Sequence, residues 1–576
     1  GVQTCALPIF KQVLAMMLAV LMVLALAACA KTPASSTAPA SSAAGTESKD
    51  DGAYYNKEGL PITKEEITLT GVTINDYTKN FNGTWFVKWV KENMNINLNF
   101  TQYPQESIKQ QYAMMLTNDE LPDFTWFAPL GSTEIDEGYV LSFDKYMEEG
   151  LMPNLTAFFK EHEDAKAMAT YDGKIYKLGN VRTDDISCLV RFQSINTRWL
   201  KNVNKEMPET LDDLVDVLKA FRDQDANGNG DPNDEIPMSY TLGAARTGER
   251  FDWTMLGSFG IDTTSQEYIL QAKDDKVYLA ETTENYKAYL KYLANLIKEG
   301  LLDSTLYTQT DDQYKEKVKN DRVGVTGNWL AVTGYCVDPT DEAVVEKAKE
   351  LAFFPTMKGE YNNDTNVVLW NAANAGECVA SAKTKYPEAV ARFVDYWYTE
   401  EGAVLYNYGK DGETFDWVEG KSGLRTAKFD AYYEKYGYGD NKADYQTQWL
   451  RPSNFVTWYV LSISNAQMAK VKDEAKLAEY KTYAESANAA ILQEGLVKYG
   501  TTKAYPNVSY TTDQGDAIGE KKTAIASLIK TYKCQFITGV KDIDKEWDSF
   551  QNELKKAGLD DVMKVEQEAY NTYIGK

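Results

Sequence analysis

Residues 223–235 read Asp223-Gln224-Asp225-Ala226-Asn227-Gly228-Asn229-Gly230-Asp231-Pro232-Asn233-Asp234-Glu235, with oxygen-bearing side chains at alternate positions and glycines between them. A hard cation held by several oxygen ligands needs that alternation, and the glycines permit the tight turn that gathers them. Two frames fit the spacing. Counting from Asp223 puts Gly228 sixth and Asp234 twelfth, close to the formal EF-hand loop. Counting from Asp225 makes Asp225, Asn227 and Asn229 side-chain ligands, turns at Gly230 and uses the carbonyl of Asp231. An acidic turn that holds no ion would have the same composition. The helix before the loop is signalled by Thr210 with Asp213 three residues on, and by an inner face of Leu214, Val217, Leu218 and Phe221. Ile236-Pro237-Met238 after it reads as extended, so half an EF-hand is expected rather than a pair.

Other site chemistry is sparse. His162 is the one histidine, which excludes the HExxH zinc motif and any centre needing two imidazoles. It lies in Phe158-Phe159-Lys160-Glu161-His162-Glu163-Asp164, which reads as a solvated helix face, the wrong setting for a Ser-His-Asp triad. No Gly-x-x-x-x-Gly-Lys loop occurs, so any ATP hydrolysis belongs to other chains. Cys188, Cys336, Cys378 and Cys534 are scattered with no CxxC pair; single buried thiols are favoured, and disulfides stay open. Carboxylates are abundant enough for a secreted glycoside hydrolase, but no pair stands out from a generally acidic, solvated surface. No organic cofactor is expected.

At 576 residues the chain exceeds a single core, so two lobes with attachments are expected. Its net charge of −24 repels phosphate backbones and anionic headgroups, which argues against nucleic acid and peripheral membrane binding. An apolar run from Val13 closes at Leu26-Ala27-Ala28-Cys29, a signal-peptide core ending in small residues over 1–28. Gly1 to Ile9 lack a basic leader region and are expected to be foreign to the native start. Leu-Ala-Ala-Cys resembles the lipobox of bacterial lipoproteins, which implies a diacylglycerol on the Cys29 thiol. Lys31 to Asp51 is rich in Ala, Ser, Thr and Pro with no aromatic or large aliphatic residue, too poor in apolar surface to fold, and 29–55 is expected to be a disordered, lipid-anchored tether.

The body alternates short strands and helices, the mark of an α/β fold with parallel sheet. Strands are expected at Leu69–Ile74, at Asn95–Phe100 and after Pro122, and helices at Phe81–Met94, Ser107–Asn118 and Tyr286–Gly300. The order of motifs then becomes recognisable: Leu121-Pro122-Asp123, Glu137-Gly138-Tyr139-Val140-Leu141-Ser142-Phe143-Asp144, Tyr171-Asp172-Gly173-Lys174-Ile175-Tyr176, Ile195-Asn196-Thr197-Arg198-Trp199-Leu200, Pro208-Glu209-Thr210-Leu211-Asp212-Asp213-Leu214, and Pro387-Glu388-Ala389 through Asp395-Tyr396. This series resembles the family 1 extracellular solute-binding proteins, the maltose-type receptors. Tyr408-Gly409-Lys410-Asp411-Gly412-Glu413-Thr414-Phe415 resembles their large Gram-positive lipoprotein branch, which is akin to alginate-oligosaccharide-binding receptors.

The resemblance implies a two-lobe, type II periplasmic-binding-protein fold with hinge strands and a ligand cleft between the lobes. The N-terminal lobe would span 56–185 and 365–413, the C-terminal lobe 190–360 and 416–576, with crossings near 182–191, 364 and 414. It implies the Asp225 frame for a structural calcium ion, with Asp225, Asn227, Asn229 and Asp231 completed by the pair Asp234 and Glu235. The loop is one residue longer than the common form, which leaves Asn233 open as an alternative. Flat aromatic rings suit the apolar faces of pyranoses. The family positions point to Trp126 and Trp329 in the cleft, then Trp370, and more loosely Trp253, Trp449, Trp458 and Arg451. The expected function is an anchored, monomeric receptor on the outer face of the cell membrane. It would deliver a carbohydrate to ABC permease subunits without catalysis; a peptide or other non-sugar ligand is the alternative.

Overall fold

The computed structural model describes residues 52–74, 80–104, 107–125, 130–179, 181–182, 184–189, 192–240, 252–263, 268–328, 350–369, 371, 378–413, 416–417, 424–425, 459–460, 468–482 and 484–576. In chain order the elements that matter are β1 (Ile67–Ile74), α1 (Trp85–Met94), β2 (Ile96–Tyr103), α2 (Ile108–Asn118), β3 (Phe124–Thr125), β4 (Phe192–Asn196), α3 (Leu211–Asp223), β5 (Ile236–Ser239), α4 (Glu284–Lys298), β6 (Val323–Asn328), β7 (Leu351–Phe354), β8 (Asn366–Leu369), β9 (Val379–Ala380), α5 (Pro387–Tyr396), β10 (Gly500–Lys503), α6 (Thr512–Ile537), α7 (Ile543–Lys556) and α8 (Leu559–Tyr573).

Two four-stranded sheets organise the unit that runs from Tyr54 to Lys576. In the first, with order β9-β3-β1-β2, β1 runs parallel to β2 and β3, pairing Ile67 with Ile96 and Gly71 with Phe124, while β9 closes the edge antiparallel. Period-two alternation turns Ile96, Leu98 and Phe100 inward, where Phe86, Val90 and Met94 of α1 and Phe393 of α5 cover them. Phe100 lies across Gly71; a Cβ there would fall 2.3 Å from its ring, so only glycine fits. The second sheet has order β7-β4-β6-β5, with β5 and β6 parallel and β4 antiparallel to both β6 and β7. A separate parallel pair joins β8 to β10.

The second sheet carries the larger core. Leu214, Leu218 and Phe221 of α3 and Leu290 and Leu293 of α4 pack with Val325. The C-terminal helices add Ile525, Ile529 and Phe536 of α6, Phe550 and Leu554 of α7, and Val562 of α8. A smaller core gathers Ile186, Leu189, Phe353, Val367, Leu369 and Ile491.

Local rules account for most element boundaries. Thr210 Oγ1 accepts from the Asp213 N–H and the Asp213 carboxylate accepts from the Thr210 N–H, both at 3.0 Å, so the capping box read from sequence starts α3. The expected helix over Phe81–Met94 divides instead. Residues Phe81–Gly83 form a single turn, and Thr84 caps α1 by accepting from the Val87 N–H. The helical period survives the break, but a threonine with a free acceptor starts a new helix. His162 is likewise not within a helix face. It ends helix Pro153–Glu161 and begins Glu163–Ala169, its ring 4.6 Å from that of Phe158. Cys188 and Cys378 are buried, and burial pushes the Cys188 thiol up to about 11. Cys336 and the apolar run ending at Cys29 lie outside the described residues. Among the described residues no helix is long and apolar enough to cross a membrane.

Glu281 is fully buried at the foot of α4, where both carboxylate oxygens accept from the Ile269 N–H at 3.0 Å. Burial pushes it up to about 7 against these bonds and the Lys533 charge. A carboxyl raised in the folded state binds its proton more tightly there than in the unfolded chain. It therefore opposes folding above about pH 7 and ceases to do so as pH falls toward the ordinary carboxylate range. Glu281→Gln should melt above wild type at pH 8, with the gap closing at pH 5; calorimetry showing an equal gap at both would refute this.

Candidate functional site

The loop 223–235 is built outward from its two flanking elements. α3 delivers the chain at Gln224, whose backbone is extended, and β5 takes it up again at Ile236. Between them Gly228 and Gly230 adopt φ of +77° and +92°, the left-handed region that favours glycine. The side chains then satisfy the backbone they curl around. Asp225 accepts from the N–H groups of Gly228, Asn229 and Gly230 at 2.9, 3.0 and 2.9 Å. Asn227 Oδ1 accepts from the Asn229 N–H, Asn229 Oδ1 from the Asp231 N–H, and Asp231 Oδ1 from the Asn233 N–H, at 2.9, 2.7 and 3.1 Å. Each is a side-chain-to-backbone turn, the habit of Asx residues.

These turns converge on Asp234. Asn227 Nδ2 donates to its Oδ1 at 2.9 Å and Asn229 Nδ2 to its Oδ2 at 3.1 Å. Glu235 Oε1 accepts from the Asn227 N–H at 3.4 Å, while Oε2 is buried with no hydrogen-bond partner among the described residues. Burial, and then the neighbouring Asp234 charge, raise the Glu235 carboxyl above its ordinary value. Asp223 stands apart, its carboxylate gripped by Arg222 at 2.7 and 2.9 Å. Asn233 turns its amide to Asp231. The structure thus gathers Asp225, Asn227, Asn229, Asp234 and Glu235 and leaves out Asp223. Two of the five are carboxamides, and among the described residues no group of three or more His, Cys, Asp or Glu is placed to hold a metal.

Sequence spacing gave no sign of what fixes this loop to the body. Asn202 Nδ2 donates to the Ala226 carbonyl at 2.8 Å, and Arg198 donates to the Asn227 carbonyl and to Asp321, with Glu350 on its Nε at 3.0 Å. Arg322 Nε donates to the Asp234 carbonyl at 3.0 Å. The clamp therefore reaches residues 321 and 322, just before β6.

Of the aromatic candidates, Trp126, Trp329, Trp370, Trp449 and Trp458 lie outside the described residues, as do Arg451 and Cys29. Trp253 belongs to the helix Asp252–Gly257, with its side chain outside the described part. What is described is the strand before each of three tryptophans. β3, β6 and β8 are described as far as Thr125, Asn328 and Leu369, and Trp126, Trp329 and Trp370 come next in sequence. Each of the three strands runs parallel to a neighbour, the pairing of open α/β sheets, which take ligands at the carboxyl ends of their strands.

Comparison with known proteins supplies the context. The family model for bacterial extracellular solute-binding proteins matches residues 66–404, and a domain of unknown function (DUF3502) matches 509–575. The fructooligosaccharide ABC transporter substrate-binding protein FusA of Streptococcus pneumoniae is 24% identical over 555 residues, 92% of this chain and 95% of FusA. Lipoprotein LipO of Bacillus subtilis is 22% identical, covering 82% of this chain and 86% of LipO. Among solved structures, an extracellular solute-binding protein from Bifidobacterium longum subsp. infantis superposes with a TM-score of 0.69 at 21% identity, over 88% of this chain and 98% of that one. An EF-hand mutant of FusA in complex with fructo-nystose superposes at 0.65 with 22% identity, over 88% and 100%. The fold is that of the two-lobe solute-binding proteins.

The backbone of the loop is itself testable. Gly230→Ala meets no atom within 4 Å, so its cost is conformational, about 1–3 kcal/mol at the observed φ. Gly519→Ala, within α6 and equally uncrowded, should instead gain up to about 1 kcal/mol. Denaturant titration of both variants checks the opposite signs; equal effects would refute the backbone argument.

Proposed function

Because this chain belongs to the bacterial extracellular solute-binding proteins, we propose that it is the receptor of an ABC importer and captures an oligosaccharide between its two lobes. The observation that carries this reading is the pairing of the fold with the positions of the tryptophans: three come next in sequence after the described residues of strands in parallel pairings, and this fold class takes its ligand at the carboxyl ends of such strands. Likeness to FusA, a fructooligosaccharide receptor, supports the ligand class. Trp126, Trp329 and Trp370 would stack on sugar rings, with Trp253, Trp449, Trp458 and Arg451 as further contacts. The lobes would comprise 56–185 with 365–413 and 190–360 with 416–576. Closure about the hinge would bury the ligand for presentation to the permease subunits. The protein would act as a monomer and turn nothing over.

A structural calcium ion would sit in the loop, held by Asp225, Asn227, Asn229, the Asp231 carbonyl, Asp234 and Glu235. The donor set fits a hard cation, since it consists of oxygens alone. The buried Glu235 Oε2 without a partner among the described residues also supports it, as does the EF-hand of FusA. When bound, the ion supplies positive charge that joins the two ends of the loop; the chain's own residues position it and take no chemical step. Cys29 would carry the lipid that holds the receptor on the outer face of the membrane, as the likeness to lipoprotein LipO supports.

Thermal melts against a panel of mono- and oligosaccharides test the reading. A ligand at 100 times its dissociation constant should add about 2.7 kcal/mol of stability. That shift should vanish in Trp126→Ala, and calcium should raise the melting point of wild type but not of Asp225→Ala. Silence toward every saccharide with a response to peptides would move the ligand class, and hydrolysis of a bound saccharide would overturn the receptor reading.

A further inference from the structure

Gln193 is fully buried in β4, and neither its Nε2 nor its Oε1 has a hydrogen-bond partner among the described residues. Its strand neighbours use their polar groups. Ser194 shares a hydrogen bond with Thr326 at 3.0 Å, and Asn196 accepts from the N–H groups of Arg198 and Trp199. Opposite Gln193 stand Gly327 on one side and Phe354 on the other, which offer no polar side-chain atom. A carboxamide stripped of water and left unpaired on both atoms disfavours the folded state. A hydrophobic residue of similar volume would serve the core better.

Its position suggests what pairs with it. β4 is antiparallel to β6, so its first described residues lie on the side toward which β6 runs, Phe192 pairing with Asn328. β5 runs parallel to β6, so its carboxyl end reaches the same edge of the sheet. Trp329 comes next in sequence after Asn328. Gln193, opposite Gly327, therefore lies toward the carboxyl-terminal side of β6, the side on which this fold class takes its ligand.

We propose that Gln193 is a ligand-contacting residue of the C-terminal lobe. Nε2 donates to one hydroxyl of a sugar and Oε1 accepts from its neighbour. The inference rests on the oligosaccharide reading above and adds a residue to it. A carboxamide matches a vicinal hydroxyl pair because each hydroxyl both donates and accepts. An amide that finds its partners only in the loaded protein turns a cost of folding into affinity and selectivity for hydroxyl-bearing ligands.

The test is Gln193→Met, which keeps the volume and removes both polar atoms. The protein and its variant are titrated calorimetrically with fructose-, glucose- and mannose-containing di- to tetrasaccharides, and melted without ligand. The variant should melt no lower than wild type and bind the saccharide that wild type takes about tenfold or more weakly. Equal affinity, or a lower melting point, would overturn the assignment, because either shows a structural side chain. A wild type that binds none of the saccharides would instead overturn the oligosaccharide reading, and this residue's role with it.

Discussion

Position 324 has no side chain, and the larger core is arranged around that fact. A Cβ at Gly324 would lie 2.5 Å from the Phe221 ring and 2.8 Å from Trp199, so β6 accepts α3 and helix Thr197–Asn202 only at glycine's approach distance. Phe221 and Trp199 meet edge-on at 5.3 Å over the strand. The contact sets the end of α3, hence the start of the loop 223–235. It also sets the helix from which Arg198 and Asn202 reach back to hold that loop. Trp199 donates to Asp321 at 3.3 Å, which brings the beginning of β6 into the same clamp. One close approach therefore fixes the loop at one end of β6 and the register of the strand that leads toward Trp329 at the other.

The C-terminal segment packs into the core of the second sheet instead of forming a body of its own. The match to a domain of unknown function covers 509–575, yet α6, α7 and α8 supply a large share of the core beneath the second sheet. Glu566 joins the two parts. It is fully buried and accepts from Tyr268 and Tyr510 hydroxyls at 2.7 and 2.6 Å and from Lys522 Nζ at 2.9 Å. A buried carboxylate with all these partners is costly to disturb, since losing one leaves the charge uncompensated. Thr512, at the start of α6, also donates to Asp136 at 2.6 Å, a residue of the helix Ser132–Asp136 beside the first sheet. The segment thus touches both halves of the fold.

Much of this was legible in the sequence because it is local. The alternation of β2, the apolar spacing of α4, the Thr210–Asp213 capping box and the oxygen spacing of the loop each depend on residues within a few positions of one another. The loop's two frames were not separable that way; the pairing of Asp223 with Arg222 is a matter of geometry and not of spacing. Arg198 and Arg322 escaped notice because arginines clamp carbonyls 29 and 88 residues away, and no periodicity marks such a pair. Gln193 was invisible for a related reason. Its isolation is a property of what surrounds it, and in sequence it is one polar residue in a short strand.

The central claim is that the ligand is a saccharide held between lobes that close on it. Small-angle scattering of the protein with and without a saturating oligosaccharide tests this most directly. The account predicts that the radius of gyration falls on binding, as the lobes rotate about their hinge. A saccharide that binds at saturation while leaving the scattering profile unchanged would contradict it, and would place the site on the surface of a single lobe.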